Sequence, residues 1–300
     1  MVDLSVCIVS FNACDVLRDC LRSLYEHTPP SISLEVIVVD NNSRDQTLSM
    51  LSDEFPLAKV IANETNLGFS KATNQAMRAS SGRYICWLNS DTIVLPNAMP
   101  KLIRFMDSNP KAGIVGPKIL NADGSFQPQC KRGFPTPLAI FSYYAGLDKL
   151  FPNSPFFAQY LLRFLSPDQP HEVVSVSGAC LLARRELLES VGYADENIFA
   201  FGEDIDWCVR ARNSGWEVWY YPEAQIIHLG GKGGSGSMPF RAIYEYHRSM
   251  WVFYRKHLIN RYIFPLHIIV AAGIGARFAW SVLRNAMRKE KLVGSRKTGS

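Results

Sequence analysis

Short apolar segments alternate with amphipathic ones over the first ninety residues. Residues 4–10 (LSVCIVS) and 34–39 (LEVIVV) contain almost no polar side chain, whereas residues 16–24 repeat apolar side chains at helical spacing. The alternation continues with a helix-like segment at 46–55, strands at 58–62 and 83–88, and a helix that follows residues 66–69 and runs to residue 80. Uninterrupted apolar strands that alternate with helices predict a parallel sheet covered by helices on both faces.

The pattern is less regular beyond residue 95. Residues 121–170 are rich in Pro and aromatic residues without a clear period, and a loop this long inside a compact domain is usually functional or poorly ordered. The remaining pattern predicts helices at 96–108 and 203–214 and strands at 114–115, 173–176, 181–183, 217–221 and 224–227.

Acidic residues follow two of the predicted parallel strands. Asp40 ends the second strand, and Asp91 follows the fourth. Ligands of open parallel sheets bind outside the carboxyl ends of the strands. A single Asp after a strand is usually turn chemistry, but two at the ends of separate strands indicate a shared nucleotide-binding crevice.

Three carboxylates, from Glu203, Asp204 and Asp206, open the predicted helix that follows Gly202. A helix N-terminus favours negative charge because its first N–H groups are unpaired. Asp204 stands at the head of the apolar helix face, where a carboxylate is costly unless it is paired or functional. Asp206 and Arg210, four residues apart, are expected to form an ordinary surface pair. The alternative for the whole group is three solvated acids that stabilise the helix start.

The tract GGKGGSG at 230–236 follows His228, which ends the last predicted strand. Its spacing is not that of a Walker or Rossmann phosphate loop. It is either a flexible linker or a loop that becomes ordered over bound substrate.

The composition is that of an ordinary globular protein, 47% hydrophobic and 20% charged over 300 residues, which allows one large domain or two small ones. The seven cysteines are scattered, without a CxxC pair or a Cys/His ligand spacing. We interpret them as reduced core residues of a cytoplasmic protein, and no secretory signal is visible at the N-terminus.

Positive charge is concentrated towards the C-terminus. Residues 241–300 carry 12 Lys and Arg against 2 Asp and Glu, whereas residues 1–240 have a balance of −5. Residues 263–276 (IFPLHIIVAAGIGA) contain no formal charge, and a basic cluster at 284–297 follows Arg277. This combination favours binding to an anionic membrane surface, whereas nucleic acid binding would not explain the uncharged run. The alternative is a buried C-terminal helix with a solvated basic end.

Seven segments in a fixed order resemble the family 2 glycosyltransferases, which have the GT-A fold. They lie within residues 3–257 and read SVCIVSFN, VIVVDNNSRD, NLGFSKATNQAM, YICWLNSD, SGACLLARRE, FGEDIDWCVRARNSGW and IIHLGG. The resemblance implies an α/β fold, with a Rossmann-like, mostly parallel sheet flanked by helices in residues 1–240 and a helical, membrane-associated extension in residues 241–300. The segment NADGSFQPQCKRGFPTP is most similar to bacterial rhamnosyltransferases, which use dTDP-rhamnose to build cell-envelope polysaccharides.

The resemblance also implies a role for each matching residue. Asp204 corresponds to the general base, and Asp91 and His228 correspond to ligands of Mg²⁺ or Mn²⁺. Asp40 is expected to bond the pyrimidine base, in a nucleotide site that also contains Ser10, Asn12, Asn42, Ser43, Asp45, Asn66 and Asn89. The implied acceptor-binding residues are Arg132, Gly178, Glu203 and Arg248. A turn histidine at 228 and a surface arginine at 132 are the alternatives.

One position departs from the family pattern. The first acid of its DxD metal motif is here Asn89, which brings no charge. Fewer anionic ligands should weaken metal binding, so that the diphosphate of the donor supplies much of the affinity.

The resemblance implies that a nucleotide-sugar donor, most specifically dTDP-rhamnose, gives its sugar with inversion to a lipid-linked or polysaccharide acceptor at the cytoplasmic face of the membrane. The diphosphate of a lipid-linked acceptor is expected to contact the basic residues at 247–248 and 255–257. The alternatives are a UDP-hexose-dependent transferase and a catalytically silent nucleotide-sugar or glycan-binding module, which Asn89 makes conceivable.

Overall fold

A twisted sheet forms the centre of the protein in the computed structural model, which describes residues 2–232 and 239–287. The strands are β1 (Leu4–Ser10), β2 (Leu34–Asp40), β3 (Lys59–Ala62), β4 (Tyr84–Asn89), β5 (Thr92–Val94), β6 (Ala112–Leu120), β7 (Lys131–Arg132), β8 (His171–Glu172), β9 (Ser175–Val176), β10 (Cys180–Arg184) and β11 (Glu217–His228). The helices are α1 (Cys14–His27), α2 (Thr47–Glu54), α3 (Phe69–Ala79), α4 (Ala98–Ser108), α5 (Pro137–Ala145), α6 (Leu147–Leu150), α7 (Leu187–Val191), α8 (Glu203–Asn213), α9 (Pro239–His257) and α10 (Phe264–Ala286).

The sheet has the order β3-β2-β1-β4-β10-β6-β11-β5, with β8 paired to β11. Strands β3, β2, β1 and β4 are parallel, as are β6 and β11, whereas β10 runs antiparallel between β4 and β6. Most paired residues are therefore in parallel register, which confirms the predicted mostly parallel α/β sheet. Because β10 and β5 are reversed, their first residues lie at the same edge as the last residues of the parallel strands.

Two sequence-predicted strands are one strand in the structure. Strand β11 runs beside β6 from Glu217 to His228, and its register shifts between Tyr221 and Gln225. Pro222 lies in this irregularity, where its missing N–H costs no ladder hydrogen bond. The interruption of the apolar pattern is thus a bulge and not a turn. The region 121–170, which showed no periodicity, contains the helices α5 and α6.

Helix α8 is fixed against the sheet by a stack of two indoles. The rings of Trp87 in β4 and Trp207 in α8 lie 4.5 Å apart at an interplanar angle of 6°, and both are fully buried. The Trp207 indole N–H also donates to the carbonyl of Gly192 at 2.8 Å. This packing places the N-terminus of α8 close to the strand ends.

Asp206 and Arg210 form the expected ion pair, but Asp206 is fully buried, so the expected surface position of this pair is wrong. Its carboxylate accepts hydrogen bonds from Arg210 at 2.8 Å and from His257 at 2.7 Å, and it pairs with Lys256 at 2.8 Å. Burial alone would raise the pKa of Asp206, but these partners outweigh it and hold the pKa well below the usual range. Helix α9 supplies two of them, and the periodicity of α8 alone gives no sign that α9 covers this face.

Helix α10 packs on α9 and leaves most of its apolar surface exposed. It is 23 residues long, and its most apolar window has a mean hydropathy of 1.6 and no buried residue. The alternative of a buried C-terminal helix is therefore wrong for this segment. By length and composition the helix is able to cross a bilayer. The basic residues from 288 onwards lie outside the described residues.

Candidate active site

One large cavity opens at the carboxyl edge of the parallel strands and has a volume of about 1150 Å³. Its wall is formed by the ends of β1 and β4, the turn before β10, the first turn of α8, the end of β11, and helices α5, α9 and α10. The predicted site residues that line it are Asn66, Asn89, Asp91, Arg132, Gly178, Glu203, Asp204 and His228. The acids at 91 and 204 therefore meet the imidazole of His228 around one space.

The predicted nucleotide residues form a hydrogen-bonded turn beside this cavity. Ser10 and Asp40 are direct neighbours in the register of β1 and β2. Asp40 accepts the backbone N–H of Ser43 at 2.9 Å, and the Ser43 hydroxyl accepts that of Asn12 at 2.9 Å. Asp45 accepts the N–H of Cys14 at 3.0 Å. Within the described residues, Oδ1 of Asp40 and Oγ of Ser10 are buried and have no partner, but neither residue lines the cavity in which Asp91, Asp204 and His228 meet.

Asn66 belongs to a network that sequence reasoning missed. The side-chain amide of Asn41, which is buried, donates to Asn66 Oδ1 at 3.2 Å and to the carbonyl of Gly68 at 3.1 Å. Its oxygen accepts the backbone N–H of Leu67 at 3.2 Å. Asn42 next to it has a φ of 69°, a left-handed conformation that Asn tolerates. The two asparagines after β2 thus shape the loop that borders the cavity.

Asp91 and His228 form the polar centre of the cavity. Asp91 Oδ1 lies 3.2 Å from His228 Nε2, and Asn89 Nδ2 lies 3.4 Å from the same nitrogen. Gln127 Oε1 lies 3.1 Å from His228 Nδ1, so a proton on Nδ1 would leave Nε2 free to ligate. Asp91 also accepts the backbone N–H of Lys232 at 3.1 Å. One carboxylate, one imidazole and one amide fit a cation such as Mg²⁺ or Mn²⁺ that also binds phosphate oxygens.

Asp204 is held rigidly at the start of α8. Its Oδ2 accepts from Arg132 at 2.6 Å and from the N–H of Gly178 at 2.8 Å, and its Oδ1 accepts from the N–H of Ile205 at 2.7 Å. A Cβ on Gly178 would lie 3.1 Å from the Cβ of Asp204, so only glycine fits easily there. Three accepted bonds leave one lone-pair direction of this carboxylate for a further donor. Arg132 is buried in this contact and is therefore no surface residue.

Glu203 differs from its neighbour in its electrostatic environment. Its side chain is buried, and Oε2 has no hydrogen-bond partner among residues 2–232 and 239–287. Burial, and then the negative charge of Asp204, raise the pKa of Glu203 to about 8. At neutral pH this carboxyl is therefore mostly protonated and able to donate a hydrogen bond into the cavity.

Glu203→Gln is expected to raise the thermal midpoint of the ligand-free protein above about pH 8. A carboxyl with a raised folded-state pKa stabilises the protein while it is protonated, and this contribution is lost as the pH rises from about 4.5 through about 8. Because the amide cannot ionise, the thermal midpoints of variant and wild type should agree near pH 4.5 and differ by about 2 °C or more above pH 8. Scanning calorimetry of both proteins from pH 4.5 to above pH 8 tests this expectation. A difference between their thermal midpoints that does not change with pH would contradict it.

Arg248 is the one predicted acceptor residue that does not line the cavity. Its guanidinium donates to the carbonyl of Asn197 at 2.9 Å and lies 3.4 Å from Glu245, on a partly exposed side of α9. Sequence reasoning missed Gln127 and Asn41, which carry no distinguishing sequence signal because amides are common in loops. In the glycine-rich tract, residues 233–238 lie outside the described part of the chain.

The fold and this cavity define a glycosyltransferase of the GT-A type. The chain belongs to glycosyl transferase family 2, whose family model matches residues 5–192. Over 308 aligned residues it is 28% identical to N-acetylglucosaminyl-diphospho-decaprenol L-rhamnosyltransferase of Mycobacterium tuberculosis (strain ATCC 25618 / H37Rv), and the alignment covers 98% of each protein. It is also 25% identical to the low-salt glycan biosynthesis hexosyltransferase Agl10 of Haloferax volcanii, over 75% of this chain and 67% of that protein.

Solved structures share the fold at lower identity. The mannosyltransferase PcManGT from Pyrobaculum calidifontis, in complex with GDP-Man and Mn²⁺, has a TM-score of 0.59 and 17% identity, over 98% of this chain and 76% of its own. The structure of residues 1–349 of TarS from S. aureus has a TM-score of 0.54 and 18% sequence identity, over 81% of this chain. The chain spans 65% of that TarS structure. These likenesses confirm the GT-A fold.

Proposed function

We propose that this enzyme transfers L-rhamnose from dTDP-rhamnose, with inversion, to a lipid-linked glycan acceptor used in cell-envelope synthesis. The observation that carries the proposal is the shared cavity. The strand-end residues Asp91 and His228 and the helix carboxylate of Asp204 face one space that also reaches the nucleotide loop. Sugar transfer needs groups that stabilise the leaving diphosphate, here Asp91 and His228, and a base for the acceptor hydroxyl, here Asp204.

Each group would act at a defined atom. Asp91 and His228, with Asn89 beside them, would hold Mg²⁺ or Mn²⁺, which supplies positive charge for the leaving diphosphate. Asp204 would accept the proton of the acceptor hydroxyl as that oxygen bonds to the anomeric carbon and the bond from this carbon to the diphosphate breaks. A single base acting on the side opposite the leaving group gives inversion. Asp40 and Ser10 would bind the nucleoside through their unpartnered oxygens.

The choice of donor and acceptor is supported by the relatives. The mycobacterial relative, aligned over nearly the whole of both chains, is named as an L-rhamnosyltransferase acting on N-acetylglucosaminyl-diphospho-decaprenol. The cavity of this protein continues into an apolar groove along α10, which suits an acceptor that carries a lipid. Exposed Phe264, Ile269 and Trp280 on that helix support a location at the cytoplasmic face of an anionic membrane.

Turnover with a panel of nucleotide-sugars tests the proposal. Full-length protein would be incubated with dTDP-rhamnose, UDP-glucose, UDP-N-acetylglucosamine or GDP-mannose, an N-acetylglucosaminyl diphosphoryl prenol, and Mn²⁺ or Mg²⁺. We expect rhamnose transfer with release of dTDP, and sedimentation of the activity with phosphatidylglycerol vesicles. Transfer only from a UDP-hexose would replace the donor assignment, and binding of nucleotide-sugars without any turnover would favour a silent binding module.

A further inference from the structure

The cavity extends well beyond the groups that the proposed reaction uses. From Asp204 it continues between α5 and α10, where its wall is almost entirely apolar. Leu138 and Phe141 of α5 line it together with Leu266, Ile269 and Val270 of α10, and several of these side chains are exposed to solvent. An exposed apolar surface of this kind, continuous with an active site, is typical of a binding site for an apolar ligand.

The residues of α10 that line the groove form one stripe. They are Leu266, Ile269, Val270, Gly273, Ile274, Arg277 and Trp280. Their separations of three and four residues place them on one face of the helix. Arg277 is the one charged member of this stripe. A cation on an otherwise apolar face is costly unless it has a partner of opposite charge or a polarisable contact.

Arg277 has an aromatic contact and a free donor. Its guanidinium carbon lies 3.5 Å from the centroid of the Tyr144 ring. Its Nε is buried and has no hydrogen-bond partner within residues 2–232 and 239–287. Stacking on the ring of Tyr144 holds the guanidinium plane in place and leaves its N–H edge available to an anion. Glu245, the acid that lines the cavity on α9, lies 3.4 Å from Arg248.

A row of tyrosines connects Arg277 with the reaction centre. The hydroxyl of Tyr144 lies 2.7 Å from that of Tyr246, whose ring packs 5.8 Å from Phe201 at the start of the segment carrying Asp204. Tyr160 also lines the cavity between these groups and Asp204. The guanidinium and the candidate base therefore belong to one continuous wall.

The basic residues of α9 that the sequence suggested for the acceptor diphosphate do not line the cavity. Arg248 donates to Asn197, and Lys256 and His257 bind the buried Asp206. His247 is buried, and its Nδ1 lies 2.7 Å from the carbonyl of Ile243. Arg277 therefore offers what these residues do not, a donor inside the cavity.

We propose that the groove between α5 and α10 binds a polyprenyl-diphosphate-linked acceptor, with Arg277 donating to its diphosphate. The acceptor sugar then lies towards Asp204, and the prenyl chain lies along the apolar stripe. This inference rests on the proposed function for the identity of the acceptor. It adds a specificity-determining residue in the C-terminal helix, where a planar fork of donors matches a phosphate group.

Arg277→Gln tests the inference against a matched control. Arg284→Gln removes the same charge two turns further along α10, on an exposed residue that does not line the cavity. With N-acetylglucosaminyl diphosphoryl prenol as acceptor, Arg277→Gln should raise KM by about tenfold or more, because a charge-assisted hydrogen bond is lost. The kcat and the KM for dTDP-rhamnose should stay within about twofold. Arg277→Lys should recover part of the affinity, and Arg284→Gln should match wild type.

A second acceptor separates diphosphate binding from packing. Octyl N-acetylglucosaminide carries a sugar and an alkyl chain but no diphosphate, so wild type and Arg277→Gln should use it equally. An equal rise in KM for both acceptors would show that Arg277 only supports the groove, and an unchanged KM for the diphosphate acceptor would overturn the inference. If Arg277→Gln and Arg284→Gln both lose binding to phosphatidylglycerol vesicles, and both lose activity to the same extent, the effect would instead belong to membrane binding.

A binding measurement keeps this test independent of turnover. Geranylgeranyl diphosphate should raise the thermal midpoint of wild type more than geranylgeraniol does, and Arg277→Gln should abolish that difference. If wild type transfers no sugar from any donor yet shows this difference, the proposed function fails while the diphosphate site stands. If transfer occurs and the difference is missing, only the site fails.

Discussion

Asp204→Asn is expected to lower turnover by about a thousandfold, within the range that general base catalysis contributes. The amide keeps the size of the side chain and can still accept from Arg132 and from Gly178. It cannot take a proton from the acceptor hydroxyl. The nucleotide loop at Asp40 lies on other strands, so binding of dTDP should change little. Initial rates with saturating acceptor, and calorimetric titration of dTDP, measure the two effects.

Stability must be separated from catalysis in this variant. Arg132 is buried, and removing the charge that faces it leaves a cation without compensation. The double variant Arg132→Met/Asp204→Asn removes both charges and should recover the thermal midpoint without recovering turnover. Glu203→Gln, an equal change at the preceding residue, serves as the matched control: a role in acceptor binding would raise the KM for the acceptor, but turnover at saturating acceptor should stay within about tenfold of wild type. Turnover of Asp204→Asn within about tenfold of wild type would disprove the base assignment.

The first half of the sheet was predictable from the chain alone. Continuous apolar runs such as 4–10 and 34–39 end in polar turns, and the structure places strands β1 and β2 there. The reversal of β10 was not predictable, because an apolar run looks the same whether its neighbours run parallel or antiparallel. The bulge in β11 was also invisible, since Pro222 marks a turn as readily as a bulge.

Parts of the site that depend on long-range packing were beyond sequence reasoning. The pattern of α8 correctly set Asp204 at a buried edge, but it gave Asp206 a solvent-exposed position, because the cover comes from Lys256 and His257 of α9, about fifty residues later. Arg277 follows the uncharged run 263–276, and the sequence alone does not show which way its side chain points. Only the contact with Tyr144 and the cavity wall shows that it faces inwards. The periodicity of a helix shows on which face of that helix a residue lies. It does not show which other element packs against that face.

The number of carboxylates at the proposed metal site should determine how strongly turnover depends on Mn²⁺. Asp91→Asn removes the one acid beside His228 and is expected to lower turnover by about a hundredfold or more, because metal assistance is worth several kcal/mol. Asn89→Asp adds an acid at a residue 3.4 Å from the same imidazole, and should lower the Mn²⁺ concentration for half-maximal rate by about tenfold. Turnover as a function of Mn²⁺ concentration, with dTDP-rhamnose held constant, measures both changes.

The exchanged variant Asn89→Asp/Asp91→Asn separates charge from position. This variant retains one carboxylate, at position 89 and not at 91. If only the total charge of the site matters, it should recover metal-dependent turnover. If the carboxylate must extend from the turn before β5, it should stay as slow as Asp91→Asn. We expect the second result, because the carboxylate of Asp91 is fixed by the backbone N–H of Lys232, whereas the side-chain amide of Asn89 lies 3.4 Å from His228. In Asn89→Asp, two neighbouring carboxylates repel each other without metal, so Mn²⁺ should raise its thermal midpoint more than that of wild type. An Asp91→Asn enzyme that keeps the wild-type rate and Mn²⁺ response would remove the metal from this site and leave the imidazole and backbone donors to stabilise the leaving diphosphate.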